Sequence, residues 1–471
     1  MSADAQVPRG GRIPHPPDRR IGQETAALVV QTREFDLADD LLAYADPADP
    51  RAWLRRGDGI VAVGSETARI VRVGAGSEPR TAALRRAWDG IRSSARVDDA
   101  VRLPGTGLVA FAALVFDEAS AADSVLIVPR TVIGRHGGRT WITRVVDAGD
   151  HRAAGDAAAS GDAAGAAGPD AAADAPRGLR ADADPEPTAL GPHWAGTLGP
   201  GAQSAQGYQA SVREALTAIA DARYGKVVLA RDLAGTVPAG SDLRRLVRAL
   251  STEYPDTWAF AVDGLIGASP ETLVTAQDGV VTARVLAGTT ARGADAVTDA
   301  RAAASLADSP KDNDEHAFAV RSVVASLAPH TTALDAEGGP FILELPNLFH
   351  LATDVRARLS DGASALDLAA ALHPTAAVAG TPTDAAIAAI RELEPFDRGR
   401  YAGPVGWIDA RGNGEWAIAL RCAQFDVAGS GSGSPIPLTA YAGAGIVAGS
   451  DPEAELLETR VKFRPIVDAL A

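Results

Sequence analysis

YAGAGIVAGSDPEAELLETRVKF, residues 441–463, reads as a β-strand, a glycine-rich bend and a helix. Ser450 or Asp451 can cap that helix, with Pro452 in its first turn. On the helix Glu455, Glu458 and Lys462 stand at i, i+3 and i+7, which places them within about 60° of one another on one face. Such a face suits an ordinary solvated stripe with a Glu458–Lys462 pair. It equally suits two carboxylates for a hard cation, with an ammonium beside them for an anionic ligand. Gly443 and Gly445 in the expected bend would let backbone N–H groups approach a carboxylate or phosphate closely. The spacing does not fit a dinucleotide fingerprint, because the next glycine is Gly449.

Lys462 is one of only three lysines, with Lys226 and Lys311, in a chain of 471 residues whose other basic side chains are arginines. Lysine differs from arginine in being compact and able to lose its proton. Lys226 opens the apolar strand KVVLAR (226–231), where partial desolvation would favour the neutral amine of a general base. Lys311 stands at a helix start, DSPKDNDEHAFAV (308–320), with Ser309 as cap and Pro310 at the first position. In that helix Glu315 lies where a solvent face turns toward the core, so its carboxylate needs a partner. Glu271 follows the tight turn GASP (267–270) and precedes the apolar TLV (272–274); a carboxyl held there can have a raised pKa and donate a proton. GRYAGPVGWIDARGNGEWAIALRCAQF (399–425) reads as two strands joined by a Gly/Asn turn, with Glu415 and Arg421 on one face by alternation.

The formal charge of −15 argues against nucleic acid or an anionic membrane as partner, and any anionic substrate must be met by cations gathered locally. No apolar run is long enough to span a bilayer, and the first 20 residues lack the apolar core of a secretory signal. The single Cys422 excludes an internal disulfide and a cysteine-based zinc site. These features imply a soluble cytoplasmic protein, for which a monomer is a plausible state. Four segments are expected: a disordered tail over 1–22, an α/β portion over 23–146, a low-complexity Ala/Asp/Gly insertion over 147–192, and a motif-dense region over 193–471.

Taken in order, KVVLAR, GASPETLV, AGTTARG, SPKDNDEHAFAV, HPTAAVAGTP, GRYAGPVGWID, IALRCA and the 441–463 block resemble the chorismate-utilising enzymes, densely over about 205–466. The resemblance implies an α/β fold of two face-packed antiparallel sheets flanked by helices, with Mg²⁺ as cofactor and chorismate as substrate. It implies Lys226 as the base that activates water and Glu271 as the acid that protonates the departing hydroxyl. Glu315 and Glu458 would hold the metal, with Glu455 nearby. Arg421, Gly443, Gly445 and Lys462 would bind substrate carboxylates. Gly288 and Thr289 would line the side of the leaving hydroxyl, with His350 and Tyr401 as further pocket residues.

Within that family, ammonia-using members that resemble this chain carry glutamine where Lys226 stands, so water is the expected nucleophile and no amidotransferase subunit is expected. The loop HPTAAVAGTP (373–382), with Ala376-Ala377, has the isochorismate-synthase form, for menaquinone or siderophore biosynthesis. The alternative is a salicylate synthase, which goes on to eliminate pyruvate, and after it a non-catalytic chorismate-binding protein.

Overall fold

The computed structural model of the chain describes residues 27–149, 183–336, 339–344, 348–429, 431 and 433–471. Its strands form a 13-stranded and a 10-stranded sheet. Pairing is antiparallel apart from Leu28–Glu34 against Arg96–Asp99. Period-2 alternation sets the layers. The strand Trp258–Val262 shows this most clearly. Its Phe260 and Val262 join the large core with Trp53, Phe111 and Trp416, whereas Ala259 and Ala261 join a second core under the helices Arg244–Glu253 and Pro452–Ala469. At the start of the same strand Trp258 stacks on Trp53, with ring centroids 5.0 Å apart.

Both sheets mix strands from before and after the low-complexity segment, so the expected 23–146 and 193–471 portions share one core rather than forming two bodies. The expected insertion over 147–192 is also too long at both ends. Asp147 closes the strand Arg139–Asp147 and accepts from Arg69 at 2.8 Å and Arg130 at 2.9 Å. On the far side Thr188 N donates to Ala43 O at 2.8 Å, and Gly191 N to Asp242 Oδ2 at 2.8 Å. The fully buried Arg244 reaches Thr188 Oγ1 at 2.8 Å. Small polar residues here are held by side chains of the body, a signal that composition does not carry. Residues 150–182 of that segment, and the tail expected over 1–22, lie outside the described residues.

Two further expectations change. Gly443 and Gly445 are not in a bend but inside the strand Ile436–Val447, paired in register with Lys226–Val237: Lys226 faces Val447, Val228 faces Gly445 and Ala230 faces Gly443. The chain bends only after Val447. Nor do Glu415 and Arg421 share a sheet face. The strand Gly414–Ile418 ends in one sheet and Cys422–Phe425 begins in the other, with Arg421 at φ +49° in the crossing. That left-handed residue breaks the alternation. Glu415 stays between the sheets, accepting from Trp53 Nε1 at 2.9 Å and Gln277 Nε2 at 2.9 Å.

The free edge of the Lys226 strand is closed by side chains. Glu394 Oε1 accepts from Ala230 N at 2.7 Å, while Arg398 donates to Val228 O at 2.7 Å and to Val378 O at 3.1 Å. The two side chains pair at 2.5 Å and are 1% and 3% exposed. Removing one member would leave a buried uncompensated charge. Glu394→Ala is expected to lower unfolding free energy by about 3–5 kcal/mol, seen as a fall in the urea midpoint at unchanged slope.

Candidate active site

Three elements bring the candidate residues together. The strand Lys226–Val237 places Lys226 at its first position, beside the glycines of Ile436–Val447. A Cβ on Gly445 would sit 3.3 Å from Lys226 Cε, so the missing side chain is the space that the lysine stem occupies. A Cβ on Gly443 would lie 2.8 Å from Leu229 O and 3.2 Å from the Tyr401 hydroxyl. Tyr401 is buried and stacks on Tyr441 at 5.1 Å, its hydroxyl pKa pushed up by burial.

The second element is the helix Pro452–Ala469, capped by Asp451, whose side chain accepts from Glu453 N and Ala454 N. Glu458 and Lys462 meet at 2.5 Å, and Lys462 Nζ also donates to Gly443 O at 2.9 Å. That second bond ties the helix to the glycine strand. Glu455 sits one turn earlier; burial raises its carboxyl pKa and the Glu458 charge adds to the rise.

The third is the helix Pro310–Leu327, where Ser309 accepts from Asp312 N as expected. Its Glu315 accepts from Lys226 Nζ at 3.2 Å. Beneath it the strands Val280–Ala291 and Leu348–Leu359 slip register between Leu286 and Thr289, a β-bulge with Gly288 at φ +80°. Past the bulge Thr289 pairs with His350, whose ring hydrogen-bonds the Gly288 backbone. Burial lowers the His350 pKa, with the Lys462 and Arg421 charges acting in the same direction.

Glu271 lies among these groups. The expected tight turn over 267–270 is instead the end of the strand Leu265–Ser269, from which the chain passes through Pro270 and Glu271 into the strand Thr272–Gln277. Ser269 Oγ accepts from Glu271 N at 3.2 Å and donates to Ile418 O at 2.6 Å, which pins this link. Burial raises the Glu271 pKa, opposed by the nearby charges of Lys226, Lys462 and Arg421. The carboxyl therefore lies within electrostatic reach of all three cations. Among the described residues no hydrogen bond engages the Arg421 guanidinium, and burial pulls its pKa down. A desolvated cation without a hydrogen-bonded partner is disposed to accept an anion.

Lys226, Glu271, Glu315, His350, Arg421, Glu455, Glu458 and Lys462 are thus linked by contact or by charge. Among the described residues no three His, Cys, Asp or Glu form a ready cluster for a metal ion. Glu315 and Glu458 each hold a lysine instead. Sequence reasoning did not find Ser269, or the Glu394–Arg398 pair behind the Lys226 strand. The i, i+4 spacing of that pair in RELEPFDRGR (391–400) was its only signal. The candidate residues line neither of two hollows of about 240 Å³ elsewhere, one walled by Arg55, Arg56, Arg135 and Arg248, the other by Arg85, Trp88 and His330.

A family model described as chorismate binding enzyme matches residues 18–471. The chain is 42% identical over 275 residues to isochorismate synthase DhbC of Bacillus subtilis, covering 56% of this chain and 67% of that protein. It is 38% identical over 275 residues to the salicylate biosynthesis isochorismate synthase of Pseudomonas aeruginosa, covering 57% of this chain and 56% of that one. Among solved structures, MenF, the menaquinone-specific isochorismate synthase from Escherichia coli, superposes with a TM-score of 0.70 at 25% identity. The match covers 96% of this chain and 97% of that one.

Glu271 gives this site a stability signature. Its folded-state pKa lies above the ordinary 4.5, so its contribution is most favourable below pH 4.5 and is lost as pH rises through the folded value. Glu271→Gln removes that loss. The variant is expected to unfold at a higher temperature than the parent at pH 7, with the difference closing toward pH 4.5, in thermal scans across pH.

Proposed function

This chain belongs to the chorismate-binding enzymes, and on that premise we propose that it is an isochorismate synthase, moving a hydroxyl from C4 to C2 of chorismate. The observation that carries the reading is the meeting of a carboxyl whose pKa burial raises, Glu271, with Lys226, Lys462 and Arg421. The reaction needs one base, one acid and cations for two substrate carboxylates.

In this reading Lys226 takes a proton from water as the oxygen bonds to C2. Both double bonds of the ring diene shift, from C1=C2 to C1=C6 and from C5=C6 to C4=C5, and the C4–O bond breaks. Glu271, whose pKa burial raises, gives its proton to the departing hydroxyl, which leaves as water. One water enters and one leaves, so the step is an isomerisation. Arg421 and the backbone around Gly443 and Gly445 bind the enolpyruvyl carboxylate. Lys462 faces the ring carboxylate, and the bulge at Gly288 and Thr289 with His350 borders the leaving group. Tyr401, stacked on Tyr441, backs the wall near Gly443.

The donor set suits Mg²⁺. Glu455 and Glu458 crowd like charges on one helix face, and Glu315 supplies oxygen from another element. A hard cation commonly takes one or two carboxylates and completes its shell with water and substrate. Magnesium held by Glu315 and Glu458, with Glu455 beside them, would add positive charge at the ring carboxylate. No helix among the described residues is long and apolar enough to cross a membrane. We assign the enzyme to the cytoplasm, acting without an amidotransferase subunit, its product feeding menaquinone or siderophore biosynthesis.

Purified protein with chorismate and Mg²⁺ is expected to yield isochorismate without pyruvate, separated by chromatography. Salicylate with equimolar pyruvate would replace this reading with the salicylate synthase. Lys226→Arg is expected to lose at least a thousandfold in kcat, because a guanidinium cannot serve as base near neutral pH. Turnover within tenfold of the parent would remove Lys226 from the role of base.

A further inference from the structure

The helix Pro310–Leu327 carries Glu315, and its apolar anchorage lies in its second half, where Ala319, Val320 and Val323 pack partly buried against the large core and Leu327 is buried. Among the described residues of its first half only His316 is buried. Phe318, two residues beyond His316, is 48% exposed. The first half of the helix therefore docks chiefly through one imidazole. His316 is 2% exposed, with Nδ1 3.2 Å from Ala287 O and Nε2 2.7 Å from Thr353 Oγ1. A carbonyl oxygen can only accept, so Nδ1 carries the proton in the neutral ring, and Nε2 accepts from the Thr353 hydroxyl.

Ala287 lies within the register slip itself, and Thr353 on the facing strand, opposite Val285. The imidazole thus bridges both strands where the bulge forms. Its neighbour Glu315 reaches Lys226 at 3.2 Å. The bulge carries Gly288, with Thr289 and His350 paired just past it, on the same side of the molecule's candidate site.

We propose that His316 is a positioning residue for the isomerisation, fixing Glu315 and the Gly288 bulge relative to one another. This rests on the proposed function for the role of Glu315, while the bridge itself is independent of it. Buried polar groups that lose one partner leave the others unsatisfied. Without the imidazole, Ala287 O and the Thr353 hydroxyl lose their bonds to it. Among the described residues the helix has no other buried side chain in its first half to hold its register.

The test compares His316→Leu with His316→Asn, whose amide can still donate toward Ala287 O. Mg²⁺ binding is measured by calorimetry without turnover, and kcat and KM for chorismate are measured separately. His316→Leu is expected to weaken Mg²⁺ binding and lower kcat, each at least tenfold, with KM changed less than threefold. His316→Asn is expected to stay within about threefold of the parent in both. Parent-like Mg²⁺ affinity and kcat in a folded His316→Leu, whatever its melting temperature, overturn the proposal. Equal impairment of the two variants overturns it as well. Should His316→Leu fail to fold, Thr353→Val removes only the Nε2 partner, and unchanged Mg²⁺ affinity and kcat there count against the bridge. A parent that makes no isochorismate refutes the function, and the calorimetric comparison still decides the bridge.

Discussion

The site depends on the buried pair of Glu394 and Arg398. The Lys226 strand is hydrogen-bonded along one edge by the strand Ile436–Val447, but its other edge is covered only at its two ends, by Thr197–Pro200 and Gly380–Thr381. Backbone groups left over in that gap would be buried and unpaired, at a cost of about 1–3 kcal/mol each. Glu394 takes the amide of Ala230 and Arg398 the carbonyl of Val228, so side chains complete the sheet where no strand does. Arg398 also holds Val378 O, which fastens the loop 373–382 to the same strand. A buried ion pair is weak evidence for stability in itself. Here its worth lies in geometry, since it fixes the start of the strand from which Lys226 projects.

The choice of lysine over arginine follows from space as well as chemistry. Lys226 runs past Gly445, and Lys462 reaches Gly443 O while facing Glu458. Both lysines lie along one strand of small residues, where a flat guanidinium with five donors would need a wider slot. Arg421 is placed differently, at a left-handed residue in the crossing between sheets. The crossing turns the guanidinium away from the alternation of the preceding strand, into a place where burial acts on it and no hydrogen bond among the described residues relieves it.

Much of this was legible in the sequence. The helix caps at Ser309 and Asp451, the apolar strand after Lys226 and the Glu458–Lys462 pair follow from local rules, and each is found. What escaped depends on residues far apart in the chain. Gly443-Ala-Gly445 looks like a bend until its partner strand is known; opposite Lys226–Val237 the same glycines are a straight slot. Alternation put Glu415 and Arg421 on one face because nothing local marks Arg421 as the point where the chain changes sheets. The ends of the low-complexity segment were misplaced for a similar reason: Thr188 and Gly191 are ordinary loop residues until Ala43 and Asp242 receive them.

The pairing of lysines with glutamates bears on how an acidic protein keeps these charged groups together. A carboxylate or an ammonium taken partly out of water and left bare loses its hydration without recompense. Lys226–Glu315 and Lys462–Glu458 neutralise both kinds of charge at once, each across a partly exposed contact that solvent screens. Pairs of that kind are weak enough to exchange partners, which a buried pair such as Glu394–Arg398 is not. The fold thus uses the same chemistry at two strengths: a sealed ion pair behind the strand that must not move, and open ones in front, where solvent reaches both partners.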